Sequence, residues 1–269
     1  MRIMTTIEKL IDLNGRTALI TGAAGGLGRI MAGTLAELGA DLILVDLPNT
    51  EISALMASLI ERFKVNVDFM VCDLEQEVQR ANLISQMKER NKSLNILINN
   101  AAFVGTSDLP GWSVPFEQQT VETWRRAFEV NLTAIFDLCQ GLVPLLRHSD
   151  GANIINIASI YGLFGPDWSL YEGTSMSNPA AYSASKGGLL QFTRWLATTL
   201  APDVRVNAIS PGGIFRGQPE AFQQRYIART PLRRMATEDD FSGAVAFLAS
   251  DLSRYMTGQN LVLDGGWGV

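Results

Sequence analysis

Tyr182 and Lys186 stand four residues apart in Tyr182-Ser183-Ala184-Ser185-Lys186, a spacing that puts both on one face of a helix. A phenol titrating near pH ~10 is a poor base at neutral pH. An ammonium one turn away stabilises the phenolate and draws that value toward the working range, so the pair suits proton transfer. Tyr-x-x-x-Lys recurs by chance and takes its meaning from its surroundings. Here it follows a helix start at Asn178-Pro179 and lies downstream of Ser159, which closes the apolar run 154–158.

A second constellation is Thr21-Gly22-Ala23-Ala24-Gly25-Gly26-Leu27-Gly28, preceded by an apolar run and followed by a helical pattern. Glycines permit a tight turn and let backbone N–H groups approach a pyrophosphate at a helix N-terminus, where the dipole favours negative charge. The spacing of Gly22, Gly26 and Gly28 is looser than G-x-G-x-x-G, but the strand-turn-helix context is the expected one. Asp46, followed by Leu47, ends the next apolar run about 20 residues on. A carboxylate there accepts from adenosine ribose hydroxyls and repels a 2′-phosphate, which favours NAD over NADP. Neither the glycine turn nor the residues directly after Asp46 carry an Arg or Lys to offset that repulsion. The competing reading makes Asp46 the cap of a turn at Leu47-Pro48-Asn49. Asp73 and Asn99-Asn100-Ala101-Ala102 follow two further runs, and each serves equally well as a cap or turn residue.

The elements that must position these residues alternate. Apolar runs at 17–20, 42–45, 65–71, 96–98, 154–157, 204–209 and 261–263 are continuous and branched, as strands covered on both faces are. Helix-length segments lie between them at 27–38, 52–63, 78–90, 122–147, 181–200 and 239–250. Such alternation predicts a three-layer, doubly wound α/β fold with a parallel sheet, whose ligands bind beyond the carboxyl ends of the strands. No linker or repeat interrupts residues 1–269, so one Rossmann-type domain is expected, with 1–13 as an N-terminal extension.

Composition excludes other classes. The chain is 47% hydrophobic and 18% charged, enough for a large core, and its net charge of −5 speaks against nucleic acid as a partner. No uninterrupted apolar run reaches the ~20 residues of a membrane span, and the first 13 residues lack a signal-peptide pattern, so a cytoplasmic location is expected. Cys72 and Cys139 form no CxxC pair, and the single histidine, His148, reads as a polar residue at a helix end. No metal site is expected.

Taken together, the Thr21–Gly28 turn, Asp73, Asn99-Asn100-Ala101, Asn131, Ser159, Tyr182/Lys186, Pro211-Gly212, Thr257-Gly258-Gln259 and Asp264-Gly265-Gly266 resemble the short-chain dehydrogenase/reductase family from Leu13 to Gly266. The resemblance implies a seven-stranded parallel sheet and a homo-oligomer, tetramer or dimer. It implies that Ser159 holds the substrate oxygen and Tyr182 is the general acid/base. Lys186 would bind the nicotinamide ribose and lower the phenol, and Asn131 would hold a proton-relaying water. The implied cofactor contacts are Gly22, Ala24, Gly26, Leu27, Gly28, Asp46, Leu47, Asp73, Leu74, Asn100, Ala101, Ala102, Tyr182, Lys186, Pro211, Gly212 and Ile214.

The chain also departs from the family's pattern. Arg216 stands where members commonly carry a threonine that touches the cofactor carboxamide. Ser159 precedes Tyr182 by 23 residues, where compact members have about thirteen; Ser169 has the usual step but sits in a Gly/Pro/Trp loop. The extra segment, 164–174, is similar to extended members that modify nucleotide sugars, and 160–178 with 213–235 are the expected substrate-loop regions. Arg216, Arg225, Arg229, Arg233 and Arg234 bind phosphate or carboxylate, or form a solvated or intersubunit face. The 105–115 loop with Trp112 is either a pocket wall or a surface connection. The leading expectation is an NAD-dependent interconversion of a secondary alcohol and a ketone on a small polyol, sugar or nucleotide-sugar-like molecule. The alternatives are an epimerase or dehydratase with transiently oxidised bound NAD, and a non-catalytic NAD-sensing protein.

Overall fold

Seven runs of aliphatic and branched residues become strands in the computed structural model, which describes residues 5–90, 93–104 and 109–269. They are β1 (Thr17–Thr21), β2 (Asp41–Asp46), β3 (Val67–Val71), β4 (Ile96–Asn99), β5 (Asn153–Ile157), β6 (Arg205–Pro211) and β7 (Asn260–Leu263). All pair in parallel, in the order β3-β2-β1-β4-β5-β6-β7. The order reverses between β1 and β4, where Ala18 faces Ile96, and a doubly wound sheet opens its ligand crevice beyond the strand ends at that point.

The helices are α1 (Ile7–Ile11), α2 (Gly26–Glu37), α3 (Ser53–Phe63), α4 (Glu77–Glu89), α5 (Val121–Phe128), α6 (Ala134–Arg147), α7 (Ala180–Leu200), α8 (Glu220–Arg229) and α9 (Ser242–Ala249). One face of the sheet buries Met31 and Leu35 of α2, Leu59 of α3, and Val245 and Leu248 of α9. The other buries Leu83 and Met87 of α4, Leu138 and Leu142 of α6, and Leu189 and Leu196 of α7. Helix, sheet and helix form the three layers, because a sheet apolar on both faces must be covered on both.

Three elements differ from the sequence reading. The stretch expected as one helix over 122–147 is broken by a π-helical turn, Glu129–Thr133, between α5 and α6. The buried Arg80 takes the carboxylates of Glu129, in that turn, and of Asp137, in α6, both at 2.7 Å, and apolar periodicity alone does not register such a polar tie. The segment 239–250 begins instead as a 3₁₀ turn, Glu238–Phe241, capped by Thr237 and Asp240. α8 is polar overall and buries only Phe222 and Tyr226, four apart. The extension 1–13 is not wholly peripheral: Leu13 is fully buried and its N–H donates to Leu38 O at 2.9 Å. Val121–Arg147 matches a membrane span by length and average composition, but Leu138, Leu142 and Leu146 bury its apolar stripe in the core.

Candidate active site

The glycine turn is fixed by contacts that admit no side chain. Gly22 adopts φ +64°, and a Cβ there would lie 2.9 Å from Ala101 Cα; a Cβ on Gly28 would lie 2.1 Å from Gly22 O. Asn100 holds the turn to β4, its Nδ2 donating to Thr21 O at 2.9 Å and Gly22 O at 3.0 Å. Thr21 Oγ1 accepts from the N–H groups of Asn100 and Ala101, both at 3.1 Å. Gly25 gives α2 no side-chain cap, so the first-turn N–H groups and the positive end of the dipole are left for an anion. Those residues fit a dinucleotide pyrophosphate.

Asp46 braces the same turn. Its Oδ2 accepts from Ala24 N at 2.8 Å and its Oδ1 from Leu47 N at 2.8 Å. Both the capping and the cleft-facing readings therefore apply to it, since Asp46 also borders the cleft. The exposed Arg29 is a residue the sequence reading passed over. Its Nε donates to Ala24 O at 2.6 Å and its Nη2 to Glu51 O at 3.4 Å, which ties the first turn of α2 to the residue that Asp46 braces.

The cleft encloses about 680 Å³ and runs from this turn across the switch point. Gly22, Gly26, Leu27, Gly28, Asp46, Leu47, Asp73 and Leu74 border one half, and Asn100, Ala101, Ala102, Pro211, Gly212 and Ile214 continue the wall. Asp73 turns its carboxylate to Glu75 N at 3.0 Å, and Glu75 pairs with Arg126 at 2.6 Å. Ala24 does not border the cleft; its part is the hydrogen bond to Asp46.

Ser159, Tyr182 and Lys186 meet at the other half. Ser159 follows β5 in extended backbone and its hydroxyl accepts from Tyr161 N at 3.2 Å. Burial raises the Tyr182 phenol, while a hydrogen bond from the Ser159 hydroxyl and the charge of Arg216 pull it back down. Lys186 is 1% exposed, and burial lowers its ammonium to about 8. Its Nζ donates to Ile157 O at 2.7 Å and stands 5.9 Å from the Tyr182 ring centre. Ser159 and Arg216 thus offset part of the rise that burial causes at Tyr182. The rival Ser169 lies in a 3₁₀ turn, Trp168–Leu170, bonded to Asp167.

Asn131 is fully buried behind the cleft rather than on its wall. Its Oδ1 accepts from Phe103 N at 2.6 Å, and its Nδ2 donates to Phe103 O at 3.3 Å and Ser185 Oγ at 3.0 Å. The side chain is therefore a brace between the strand-β4 loop and α7, placed there by the π turn.

Of the two substrate-loop regions, only 213–235 borders this cleft, through Ile214, Arg216 and Gln218. Within 160–178, the stretch from Asp167 to Glu172 packs on α8. Arg229 pairs with Asp167 and lies 3.9 Å over the Trp267 ring; Arg225 donates to Glu172 O at 2.5 Å. Tyr171 packs on Phe222 with ring centres 5.4 Å apart. Trp112 is buried and donates to Val104 O at 2.7 Å, while residues 105–108 of its loop lie outside the described residues. His148 caps α6, its Nδ1 2.6 Å from Pro144 O, and both cysteines are buried and unpaired.

A doubly wound sheet with a glycine turn at its switch point and a Ser-Tyr-Lys group beyond β5 defines a dinucleotide-binding class of α/β protein. The family model described as enoyl-(acyl carrier protein) reductase matches residues 22–268. Trans-4-hydroxycyclohexanecarboxylate dehydrogenase of Sinomonas cyclohexanicum is 34% identical over 257 residues, 93% of this chain and 92% of that one. Among solved structures, a short chain dehydrogenase from Leptospira borgpetersenii with bound NAD+ is 32% identical. Its TM-score is 0.82, with 100% of this chain and 98% of that one covered. A gluconate 5-dehydrogenase from Burkholderia cenocepacia in complex with NADP and tartrate is 26% identical, with a TM-score of 0.84 and 97% and 98% covered. The chain belongs to the short-chain dehydrogenase/reductase family, and is an oxidoreductase of that kind.

Proposed function

We propose that the protein is an NAD-dependent oxidoreductase that interconverts a secondary alcohol and a ketone on a polyol, sugar or nucleotide-sugar-like substrate. The observation that carries this reading is the meeting of Ser159, Tyr182 and Lys186 on one cleft with the glycine turn. A bound nicotinamide supplies the hydride acceptor or donor. The residues then divide the remaining work. The glycine turn and the N-terminus of α2 hold the pyrophosphate, Asp46 and Leu47 the adenosine ribose, and Asp73 and Leu74 the adenine. Ser159 orients the substrate oxygen by hydrogen bonding. Tyr182 takes the hydroxyl proton during oxidation and returns it during reduction; burial raises its phenol, and Ser159 and Arg216 offset part of that rise. Lys186 holds the nicotinamide ribose from its seat on Ile157, and Asn131 keeps α7 in register with the loop after β4.

The relatives support the class of substrate, because their names span a cyclic hydroxy acid and a sugar acid. NAD is preferred here over NADP on account of Asp46. The test is NADH formation, followed at 340 nm, across sugars, polyols, sterols and nucleotide sugars. Turnover confined to sterols would overturn the substrate class, and faster turnover with NADP the cofactor assignment.

The same reading includes self-association. Trp124, Phe136 and Trp195 are 41%, 42% and 56% exposed on α5, α6 and α7, and Phe192 stacks on Trp195 at 6.3 Å. Such a stripe is suited to a second copy of the chain, as a tetramer or dimer. Light scattering on the protein with Trp195→Glu and Phe136→Glu should report smaller particles; a wild-type monomer would refute the assignment.

A further inference from the structure

Five arginines between 213 and 235 were candidates for anion recognition, and the structure separates them. Arg225 donates to the carbonyls of Leu170 and Glu172, and Arg229 pairs with Asp167. Arg233 donates to Ala228 O at 2.7 Å, and Arg234 grips Asp240 with both Nη groups at 2.6 and 2.7 Å. Arg216 alone of the five borders the cleft that holds Ser159 and Tyr182.

Its geometry is that of a fixed but incompletely used cation. The Nε donates to Glu238 Oε1 at 3.1 Å, which leaves the Nη1/Nη2 edge without a partner among the described residues. That edge is the one that takes two carboxylate oxygens side by side. The backbone is held as well, with Arg216 N donating to Gln218 Oε1 at 2.8 Å and Gln218 Nε2 to Ile214 O at 2.7 Å. The side chain is 53% exposed, so an incoming ligand meets it without unfolding anything. Its charge reaches Tyr182, where it helps to lower the phenol. Glu238 sits beside the guanidinium and offsets part of its charge, which suits a monoanion better than a phosphate dianion.

We propose that Arg216 receives a carboxylate of the substrate, so that the preferred substrate is a hydroxy acid rather than a neutral polyol. The proposal rests on the alcohol-ketone reading of the site and narrows it. Glu238, whose carboxylate lies against Gly26 of the glycine turn, acts as a positioning residue by holding the Nε.

The experiment compares matched alcohols with and without the acid group, trans-4-hydroxycyclohexanecarboxylate against cyclohexanol and gluconate against xylitol. Wild type, Arg216→Gln and Arg216→Lys are each assayed for NAD reduction, and NADH binding is titrated by its fluorescence. For Arg216→Gln, KM for the acids should rise about 10- to 100-fold, the usual loss of a charge-assisted hydrogen-bonding pair. KM for the neutral partners should hold within twofold, and Arg216→Lys should recover part of the difference. Both classes should lose some kcat with a shift of the pH profile to higher pH, because the phenol loses a nearby cation; the acid-to-neutral ratio isolates the carboxylate contact. NADH affinity that falls as far as the acids' KM rises would make Arg216 a cofactor contact and overturn the proposal. Wild-type preference for neutral polyols would also overturn it while leaving the alcohol-ketone reading intact. If no alcohol in the panel reduces NAD, the reading itself fails and the proposal with it.

Discussion

The Lys186 ammonium donates to the carbonyl oxygen of Ile157 at 2.7 Å, so the lysine of α7 is anchored to the last residue of β5, the strand that leads into Ser159. One hydrogen bond thereby ties the helix of Tyr182 and Lys186 to the strand before Ser159, across the loop that separates them in sequence. The anchored ammonium is buried, and that burial has a cost that can be measured.

Burial lowers Lys186 from 10.5 to about 8 in the folded chain, so below about pH 8 folding must keep a desolvated charge. That destabilisation is present in full below pH 8. It fades as pH rises toward 10.5, where the unfolded chain also loses its proton. Lys186→Met should therefore raise stability near pH 7 by up to about 3 kcal/mol, with the gain shrinking toward pH ~10.5. Urea melts at pH 7 and pH 10 check this; an equal effect at both values would refute it. Turnover should be lost in the same variant.

Tyr182→Phe removes the one group placed to move the substrate proton while leaving the wall of the cleft intact. Turnover should fall at least about 100-fold, the usual contribution of a positioned acid/base. NADH affinity, read by fluorescence titration, should stay within twofold. Wild-type turnover would show that the phenol is not the acid/base.

Arg80 is 2% exposed and meets three acceptors: Glu129 at 2.7 Å, Asp137 at 2.7 Å and Leu74 O at 2.7 Å. It joins the Leu74 side of the cleft to the turn that carries Asn131. Arg80→Met should cost about 3 kcal/mol or more, because it strands two carboxylates that shared one cation. A chemical denaturation midpoint within error of wild type would contradict that role.

Asp46 and Arg29 carry opposite charges and bond to the N–H and the carbonyl of the same residue, Ala24. Asp46→Asn keeps an acceptor for Ala24 N but removes the repulsion of a 2′-phosphate. The ratio of kcat/KM for NADP over NAD should rise about 10- to 100-fold, the size of one charge pair near a protein surface. Adding Arg29→Gln should reverse most of the gain. A ratio that ignores both changes would remove Asp46 as the selector.

Much of this was legible in the sequence because the sheet is covered on both faces. Runs such as 42–45 and 96–98 can then hardly be anything but strands, and the residues that follow them fall at the crevice. Position after a run, with the spacing of Tyr182 and Lys186, singled out Ser159, Tyr182 and the glycine turn, and the three border one cleft. The π turn at Glu129–Thr133 was not, since inserting one residue per turn leaves the apolar pattern on both sides intact. The division of labour among the arginines was equally hidden: it depends on which carbonyls and carboxylates the 164–174 segment offers, and that is a tertiary matter. Ser159 comes just after β5 and borders the cleft, whereas Ser169 lies in the 3₁₀ turn Trp168–Leu170, a difference that the step to Tyr182 alone does not register.

The packing of 164–174 on α8 has a consequence for how this active site can change. Arg225, Arg229 and the Tyr171–Phe222 contact make the insertion and the helix a single interlocked piece, and Tyr226 pins that piece to the backbone N–H of Gly213. A graft that brings in a foreign insertion without its matching helix would strand Arg229 and open the aromatic seam. Exchange of specificity between relatives should therefore succeed only when both segments travel together, as one heritable cassette.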